Sequence, residues 1–177
     1  CKRCIMNNDV DICIEFNDDG ICHHCIRYDE MHSGRIANLD NENTALKELV
    51  AKVKKDGKNN EYDCIFGISG GVDSTYVAYL LKSHGLRPLA VHLDNGWNSE
   101  LAIINIEKTL NKLDIDLYTH VLDWEEFRDL QVSFLKASVP DGEVVTDHTI
   151  MALLWNQASK RGIKYIISGN NFSSESM

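Results

Sequence analysis

A short glycine-rich segment in the middle of the chain has the residue types that bind a phosphate group. Residues 69–74 read Ser-Gly-Gly-Val-Asp-Ser and lie between an apolar run and an amphipathic run. This order predicts a strand, a tight turn and the first turn of a helix, which together direct backbone N–H groups at an anion. The glycines let the main chain approach closely, Ser69 and Ser74 can donate hydroxyl hydrogen bonds, and Asp73 can hold a Mg²⁺ that bridges phosphate oxygens. We therefore predict a nucleotide phosphate site, with Asp73 and Ser74 as catalytic candidates.

Four of the six cysteines form a second candidate site near the N-terminus. Cys1 and Cys4 make one CxxC pair, Cys22 and Cys25 make another, and 17 residues separate the two pairs. Two CxxC turns can supply the four thiolates of a tetrahedral Zn²⁺ site. Because four thiolates leave no open coordination position for a water molecule, the predicted zinc is structural. Disulfide pairing is the alternative, but a nucleotide loop and the lack of a signal-peptide pattern favour the reducing cytoplasm.

Other polar residues near these cysteines have weaker interpretations. Either His23 or His24 could replace one cysteine as a zinc ligand, although an exposed or supporting position is the more ordinary expectation. Cys13 lies in the alternating segment 11–16, which predicts a short strand with Cys13 as a small apolar residue.

Composition limits the kinds of partner that the protein can have. The chain has 177 residues, 44% of them hydrophobic, with 27 acidic and 18 basic residues and a net charge of -9. No apolar run approaches the length of a membrane span, so we expect a soluble protein. The scattered lysines and arginines do not form the basic patch that nucleic acid requires. A small-molecule or protein partner is therefore expected.

Short apolar runs alternate with amphipathic segments after residue 60, and this alternation predicts an α/β fold. We expect a zinc-ribbon module over residues 1–40 and a nucleotide-binding domain over residues 41–177, which could be incomplete at its C-terminus. The predicted strands lie near 62–68, 87–93, 116–122 and 164–168. The predicted helices lie near 43–55, 74–84, 100–113, 124–137 and 147–161.

The 69–74 segment has neither the Gly-Lys-Ser/Thr ending of a Walker A loop nor the GxGxxG pattern. It resembles the PP-loop of the ATP pyrophosphatases, which cleave ATP between the α- and β-phosphates. The resemblance implies a Rossmann-like, doubly wound parallel sheet. Residues 88–96 resemble the family's second strand, which borders adenine, and residues 165–171 resemble the strand beside the ribose and α-phosphate. The ATP-binding residues that it implies are Ile68, Ser69, Gly70, Gly71, Val72, Asp73, Ser74, His92, Leu93, Asp94, Gly169 and Asn170.

The paired CxxC motifs ahead of this loop resemble the N-acetyl sugar amidotransferases. That resemblance implies ATP, Mg²⁺ and a structural Zn²⁺ as cofactors, and adenylation of a sugar acetamido oxygen followed by attack of ammonia to give an acetamidino group. It also implies a place in bacterial surface-polysaccharide (lipopolysaccharide) or nonulosonate biosynthesis. The ammonia would come from a separate glutaminase and cyclase-like partner pair.

A zinc-ribbon tRNA thiolation enzyme is the main alternative, and a nucleotide-binding domain without catalysis is another. Thiolating enzymes of this kind typically carry cysteines near the active site, whereas the last cysteine in this sequence is Cys64, inside the first predicted strand. Three residues are candidates for substrate contact. Trp97 could stack on adenine or sugar or pack at the rim, while Asp147 and His148 could contact the substrate or a metal or simply begin a helix.

Overall fold

The computed structural model describes residues 1–36 and 42–170, which form two compact units, Cys1–Lys47 and Glu48–Asn170. Two predictions fall outside the described residues. One is the domain boundary between residues 40 and 41, and the other is Asn171, the last residue of the 165–171 segment.

Helices and strands alternate through the second unit, as predicted. The helices of the described chain are α1 (His23–Ile36), α2 (Glu42–Gly57), α3 (Val72–Ser83), α4 (Glu100–Leu113), α5 (Trp124–Lys136) and α6 (Val144–Arg161). The strands are β1 (Cys64–Gly67), β2 (Pro88–Asp94), β3 (Asp116–Val121) and β4 (Ile166–Ile167). Every strand and helix predicted after residue 42 is present, with ends within three residues of the predicted ones. None of the described helices is both long enough and apolar enough to span a membrane.

The four strands form one parallel sheet in the order β3-β2-β1-β4. The chain builds β1, β2 and β3 outward in one direction and then returns, through α5 and α6, to add β4 on the other side of β1. In an open α/β sheet, ligands bind at the carboxyl ends of the strands where the order reverses in this way. That position is the end of β1 and β4.

Helices cover both faces of the sheet, which confirms the doubly wound arrangement. On one face, Phe66 and Ala90 pack with buried residues of α3 and α4 such as Ala78 and Ile106. On the other face, Ile65 and its neighbours pack against α6. Alternation along β1 produces this division, because successive side chains of a strand point to opposite faces.

Local signals fix the helix ends. The Ser99 hydroxyl accepts the Ala102 N–H at 3.2 Å and caps α4, and the Asp123 carboxylate accepts the N–H groups of Glu125 and Glu126 and caps α5. Gly162 ends α6 at a φ of 65°, where glycine is favoured.

The N-terminal unit differs from the sequence prediction in two respects. The alternating segment 11–16 is not a strand: among the residues that the structure describes, only Phe16 makes a β-bridge, to Cys22, and no partner strand lies alongside the rest. Cys13 lies in a turn with its side chain exposed, so its prediction as an apolar strand residue is wrong. Helix α1 was not predicted, and it begins at His23 between two of the cysteines.

Candidate active site and metal centre

The Ser-Gly-Gly-Val-Asp-Ser segment connects β1 to α3 at the carboxyl edge of the sheet. The Ser69 and Ser74 hydroxyls lie 3.3 Å apart, the Ser74 hydroxyl donates to the Gly71 carbonyl at 3.2 Å, and it accepts the Ser69 N–H at 3.3 Å. These bonds hold the loop in shape from within. Helix α3 begins within the segment, at Val72, so the N–H groups of its first turn are available to an anion.

Gly70 brings this loop against the start of α4. Its φ is 79°, and a Cβ at this position would lie 2.4 Å from the carbonyl oxygen of Ala102. The Asn105 side chain donates to the Gly70 carbonyl at 3.3 Å. The loop therefore requires glycine here both for its backbone conformation and for its close approach to α4.

The segment after β4 reaches the same place. A Cβ on Gly169 would lie 3.3 Å from the Asp73 carbonyl oxygen and 3.1 Å from the Val77 side chain, so Gly169 packs directly on the first turn of α3. The Asp73 side chain is exposed in that first turn. A carboxylate beside a phosphate-binding loop is the hard oxygen ligand that Mg²⁺ takes, so the residues present fit the predicted metal role.

A cavity of about 550 Å³ lies at the ends of β1 and β4, and the segment after β4 forms part of its lining. That volume is in the range of small-ligand sites. Its lining combines a few polar groups with apolar ones, which is also typical of such sites. The lining residues are Gly67, Asp147, Ile150, Met151, Leu154, Trp155, Ile166, Ile167, Ser168, Gly169 and Asn170.

Only one of the two polar candidates on α6 faces this cavity. Asp147 lines it, and the four further lining residues of α6 follow at the i+3, i+4, i+7 and i+8 positions of one helix face. His148 lies one residue round the helix, is exposed, and has its Nδ1 atom 2.8 Å from the Val144 carbonyl oxygen. Met151 and Trp155 were missed by the sequence analysis, although the helical period counted from Asp147 would have found them.

Trp97 lies away from this cavity, in an aromatic cluster at the ends of β2 and β3. Its ring is 5.1 Å from Phe127 and 6.4 Å from Trp124, in edge-on geometry, and 52% of the residue is exposed. Trp97 does not line the 550 Å³ cavity in the described part of the chain. The sequence analysis left two roles open for Trp97, stacking on a ligand and packing at the rim. The half-exposed ring in this aromatic cluster is consistent with both.

The predicted ATP-binding residues of β1 and β2 lie behind the loop. Ile68 and His92 are 4% and 5% exposed, and the His92 Nδ1 atom lies 2.9 Å from the Ile68 carbonyl oxygen. Leu93 packs against the α6 face of the core. The Asp94 carboxylate accepts the Gly96 N–H at 3.0 Å and shapes the turn that follows β2. Val72, by contrast, is 79% exposed at the start of α3.

The four predicted zinc ligands lie together in the N-terminal unit. Cys1 Sγ is 4.0 Å from Cys25 Sγ, Cys4 Sγ is 3.7 Å from Cys22 Sγ, and all four sulfur atoms lie within 4.8 Å of one another. Tetrahedral zinc with Zn–S bonds of about 2.3 Å places its sulfurs about 3.8 Å apart. The donor set and its spacing therefore fit a structural Zn²⁺.

The four thiols must lose their protons to bind a metal ion. Burial, followed by hydrogen bonds to the Cys4 and Cys22 thiols, raises the pKa of Cys25 to about 11. A metal ion would instead favour the thiolate forms. The histidines have other partners: His23 Nδ1 accepts the Glu15 N–H at 3.1 Å and His24 Nε2 lies 2.8 Å from the Asp11 carboxylate.

Comparison with solved structures identifies the fold. The chain is similar to NMN synthetase from Francisella tularensis, with a TM-score of 0.52, 19% identity, and coverage of 73% of this chain and 55% of that one. NH3-dependent NAD synthetase from Campylobacter jejuni gives a TM-score of 0.52 at 16% identity, covering 73% of this chain and 57% of that one. The chain therefore shares its α/β fold with these synthetases.

Sequence comparison adds a local similarity. A segment of 38 residues is 47% identical to tRNA(Ile)-lysidine synthase from Chlamydia pneumoniae, and it makes up 22% of this chain and 12% of that protein. No protein-family model matches the chain. The chain spans little more than half the length of the two synthetases.

Proposed function

We propose that this protein is an ATP-dependent, AMP-forming enzyme that binds the pyrophosphate of ATP at residues 69–74. The observation that carries the proposal is the meeting of this loop with Gly169 at the point where the strand order reverses, directly beside a cavity of about 550 Å³. ATP at the loop and a second substrate in the cavity would then have their reacting atoms at one edge of the sheet.

The reaction that we propose is amidation of an N-acetylated sugar in the cytoplasm. The acetamido oxygen attacks the α-phosphorus, the bond to the β-phosphate breaks, and pyrophosphate leaves as the amide N–H proton is lost. Ammonia then attacks the activated carbon, the C–O bond breaks, and the original amide oxygen departs with AMP. One proton of the ammonia moves to the other nitrogen, which leaves a protonated acetamidino group. Mg²⁺ held by Asp73 would offset the charge on pyrophosphate, and the serine hydroxyls and helix N–H groups would bind its oxygens.

The cavity has features that suit a sugar. Trp155 and Met151 offer apolar surface for the carbon–hydrogen face of a pyranose ring, while Asp147 can accept hydrogen bonds from its hydroxyls. We propose that ammonia reaches this site from a separate glutaminase and a cyclase-like partner, because free ammonia is largely protonated at neutral pH. The pathway that we propose is the synthesis of bacterial surface polysaccharides or nonulosonates.

Sulfur transfer to tRNA is less consistent with the observations. The last cysteine in the sequence, Cys64, is fully buried in β1, and burial together with the nearby Asp63 carboxylate raises its pKa to about 12. A sulfur carrier needs an exposed cysteine that readily forms a thiolate. The net charge of -9 also opposes binding to RNA phosphates.

Isotope transfer tests the proposed reaction directly. The protein would be incubated with MgATP, ammonium chloride and a panel of N-acetylated nucleotide sugars and nonulosonates whose acetamido oxygen is ¹⁸O. We expect mass spectrometry to find the label in AMP and the acetamidino group in the sugar. AMP that contains only unlabelled oxygen would contradict the mechanism, and sulfur incorporation into tRNA would establish the alternative.

Two adjacent residues of α6 test the assignment of the cavity. Asp147→Asn should raise the KM for the sugar about tenfold or more, because a hydrogen bond to a charged group contributes about 1.5–3 kcal/mol, and it should leave the KM for MgATP within about twofold. His148→Ala is the matched control, because His148 lies on the same helix turn outside the cavity. Equal effects of the two substitutions would refute the assignment.

A further inference from the structure

His92 is a buried histidine of β2 with one well-defined hydrogen bond. The residue is 5% exposed, and Nδ1 lies 2.9 Å from the carbonyl oxygen of Ile68. Because a carbonyl oxygen can only accept, Nδ1 must carry the hydrogen and donate it. The other ring nitrogen, Nε2, is buried and has no hydrogen-bond partner in the described part of the chain.

The acceptor of this bond belongs to the peptide at which β1 ends and the phosphate loop begins. The Ile68 N–H still donates to the Val91 carbonyl at 2.9 Å, which continues the ladder between β1 and β2. The next peptide unit joins Ile68 to Ser69. His92 binds its carbonyl oxygen, and the Ser74 hydroxyl accepts its N–H at 3.3 Å.

The bond from His92 is shorter than the hydrogen bonds within the loop. The bonds within the loop measure 3.2–3.4 Å and involve exposed or half-exposed groups, whereas the His92 bond is buried. A buried hydrogen bond is not exchanged for one to water, so it restrains the peptide more firmly than the exposed hydroxyl bonds do.

We propose that His92 is a positioning residue that fixes the Ile68–Ser69 peptide plane through Nδ1, and thereby directs the loop at pyrophosphate. Without this donor, the Ile68 carbonyl would rotate toward another partner. The Ser69 N–H and the Ser74 hydroxyl would turn with it, because all three belong to one connected set of bonds. The inference rests on the proposed use of the loop for ATP, but it concerns β2 and not the identity of the second substrate.

The two ring nitrogens suggest different roles that substitutions can separate. His92 also lines a second cavity, of about 520 Å³, between α4 and β3, so Nε2 could instead be a ligand-binding atom there. An asparagine amide occupies the position of Nδ1 and a glutamine amide the position of Nε2. His92→Asn should therefore preserve the bond to Ile68, whereas His92→Gln and His92→Phe should lose it.

The test is calorimetric titration of each variant with magnesium pyrophosphate, which requires no second substrate. We expect His92→Phe and His92→Gln to bind about tenfold or more weakly than wild type, which corresponds to about 1.4 kcal/mol. His92→Asn should stay within about threefold. His120→Phe, at an exposed histidine of β3, is the control and should bind as wild type does.

The outcomes separate this inference from the proposed function. A wild-type protein that binds no pyrophosphate would refute the loop assignment and the inference with it. If wild type binds and His92→Gln matches it, Nδ1 has no positioning role. If His92→Asn is as weak as His92→Phe while both give wild-type melting curves, ring packing and not the hydrogen bond is responsible, and the inference is wrong.

Discussion

A single methyl group at Gly70 should disable the phosphate loop. Gly70 has a φ of 79°, and an alanine Cβ there would lie 2.4 Å from the Ala102 carbonyl oxygen and 2.9 Å from its Cα atom, inside the 3.0 Å that real Cβ contacts respect. The left-handed backbone alone costs an L-residue about 1–2 kcal/mol. The clash with the α4 backbone cannot be relieved by a side-chain rotation, so the loop or the start of α4 must move.

Gly162 offers a matched control for this substitution. Its φ is 65°, but a Cβ there would meet no atom within 4 Å. Gly162→Ala should therefore cost about 1–2 kcal/mol and lower the melting temperature by roughly 2–4 °C per kcal/mol, with no effect on ligand binding. Gly70→Ala should show the same backbone cost together with a functional loss of about 100-fold, the effect of a misplacement of about 1 Å in an active site.

Pyrophosphate binding, the rate of AMP formation and thermal melting should be measured for both variants. Near-normal binding and turnover by Gly70→Ala would refute the argument, since the contact with α4 would then be dispensable. An equal functional loss in Gly162→Ala would show that global destabilisation, and not displacement of the loop, explains the result.

Three further predictions concern stability and metal content. Metal analysis should find about one zinc per chain in wild type and in Cys13→Ser, whose thiol is exposed, but a marked loss in Cys4→Ser. Arg87→Met should lower the free energy of unfolding, measured in urea, because the buried Asp63 carboxylate loses the guanidinium and keeps, of its partners in the described chain, only the backbone N–H of residue 87. Half of the Arg87 side chain is exposed, so the loss should be below that of a fully buried pair. Burial and the hydrogen bond to Asp116 raise the pKa of Tyr62 to about 12. Its contribution to the free energy of unfolding is therefore complete below pH 10 and is lost as the pH rises toward 12. The difference in the free energy of unfolding between wild type and Tyr62→Phe should shrink over that range.

The parts of the site that depend on local sequence were predictable. Glycines between an apolar and an amphipathic run predict a tight strand–helix turn because the constraint lies within six consecutive residues, and the structure has that turn between β1 and α3. The CxxC spacing likewise identified the four thiols that the structure brings together. In both cases the chemistry is set by neighbours along the chain, so no knowledge of the tertiary fold was required.

Features that depend on distant pairing were not predictable from the residues alone, and only the family resemblance implied that Gly169 lies at the same site as residues 69–74. Nothing in the sequence of β4 specifies that it pairs with β1 and not with β3, yet this choice brings Gly169 onto Asp73. The strand predicted from the alternation at residues 11–16 is absent. An alternating sequence forms a strand only where a partner strand lies beside it. Asp147 and His148 are neighbours in sequence and were equally good candidates for substrate contact. The structure distinguishes them because they lie on different sides of α6 and only Asp147 lines the cavity.

The loop's geometry is set by three elements outside the motif itself. His92, on β2, binds the peptide at the start of the loop. Ala102, on α4, limits the space beside Gly70, and Gly169, after β4, packs on the first turn of α3. All three can reach it only because β1 lies inside the sheet, between β2 and β4. Pyrophosphate affinity should therefore respond to changes in these supports that leave residues 69–74 intact, and the motif alone does not determine how well the site works.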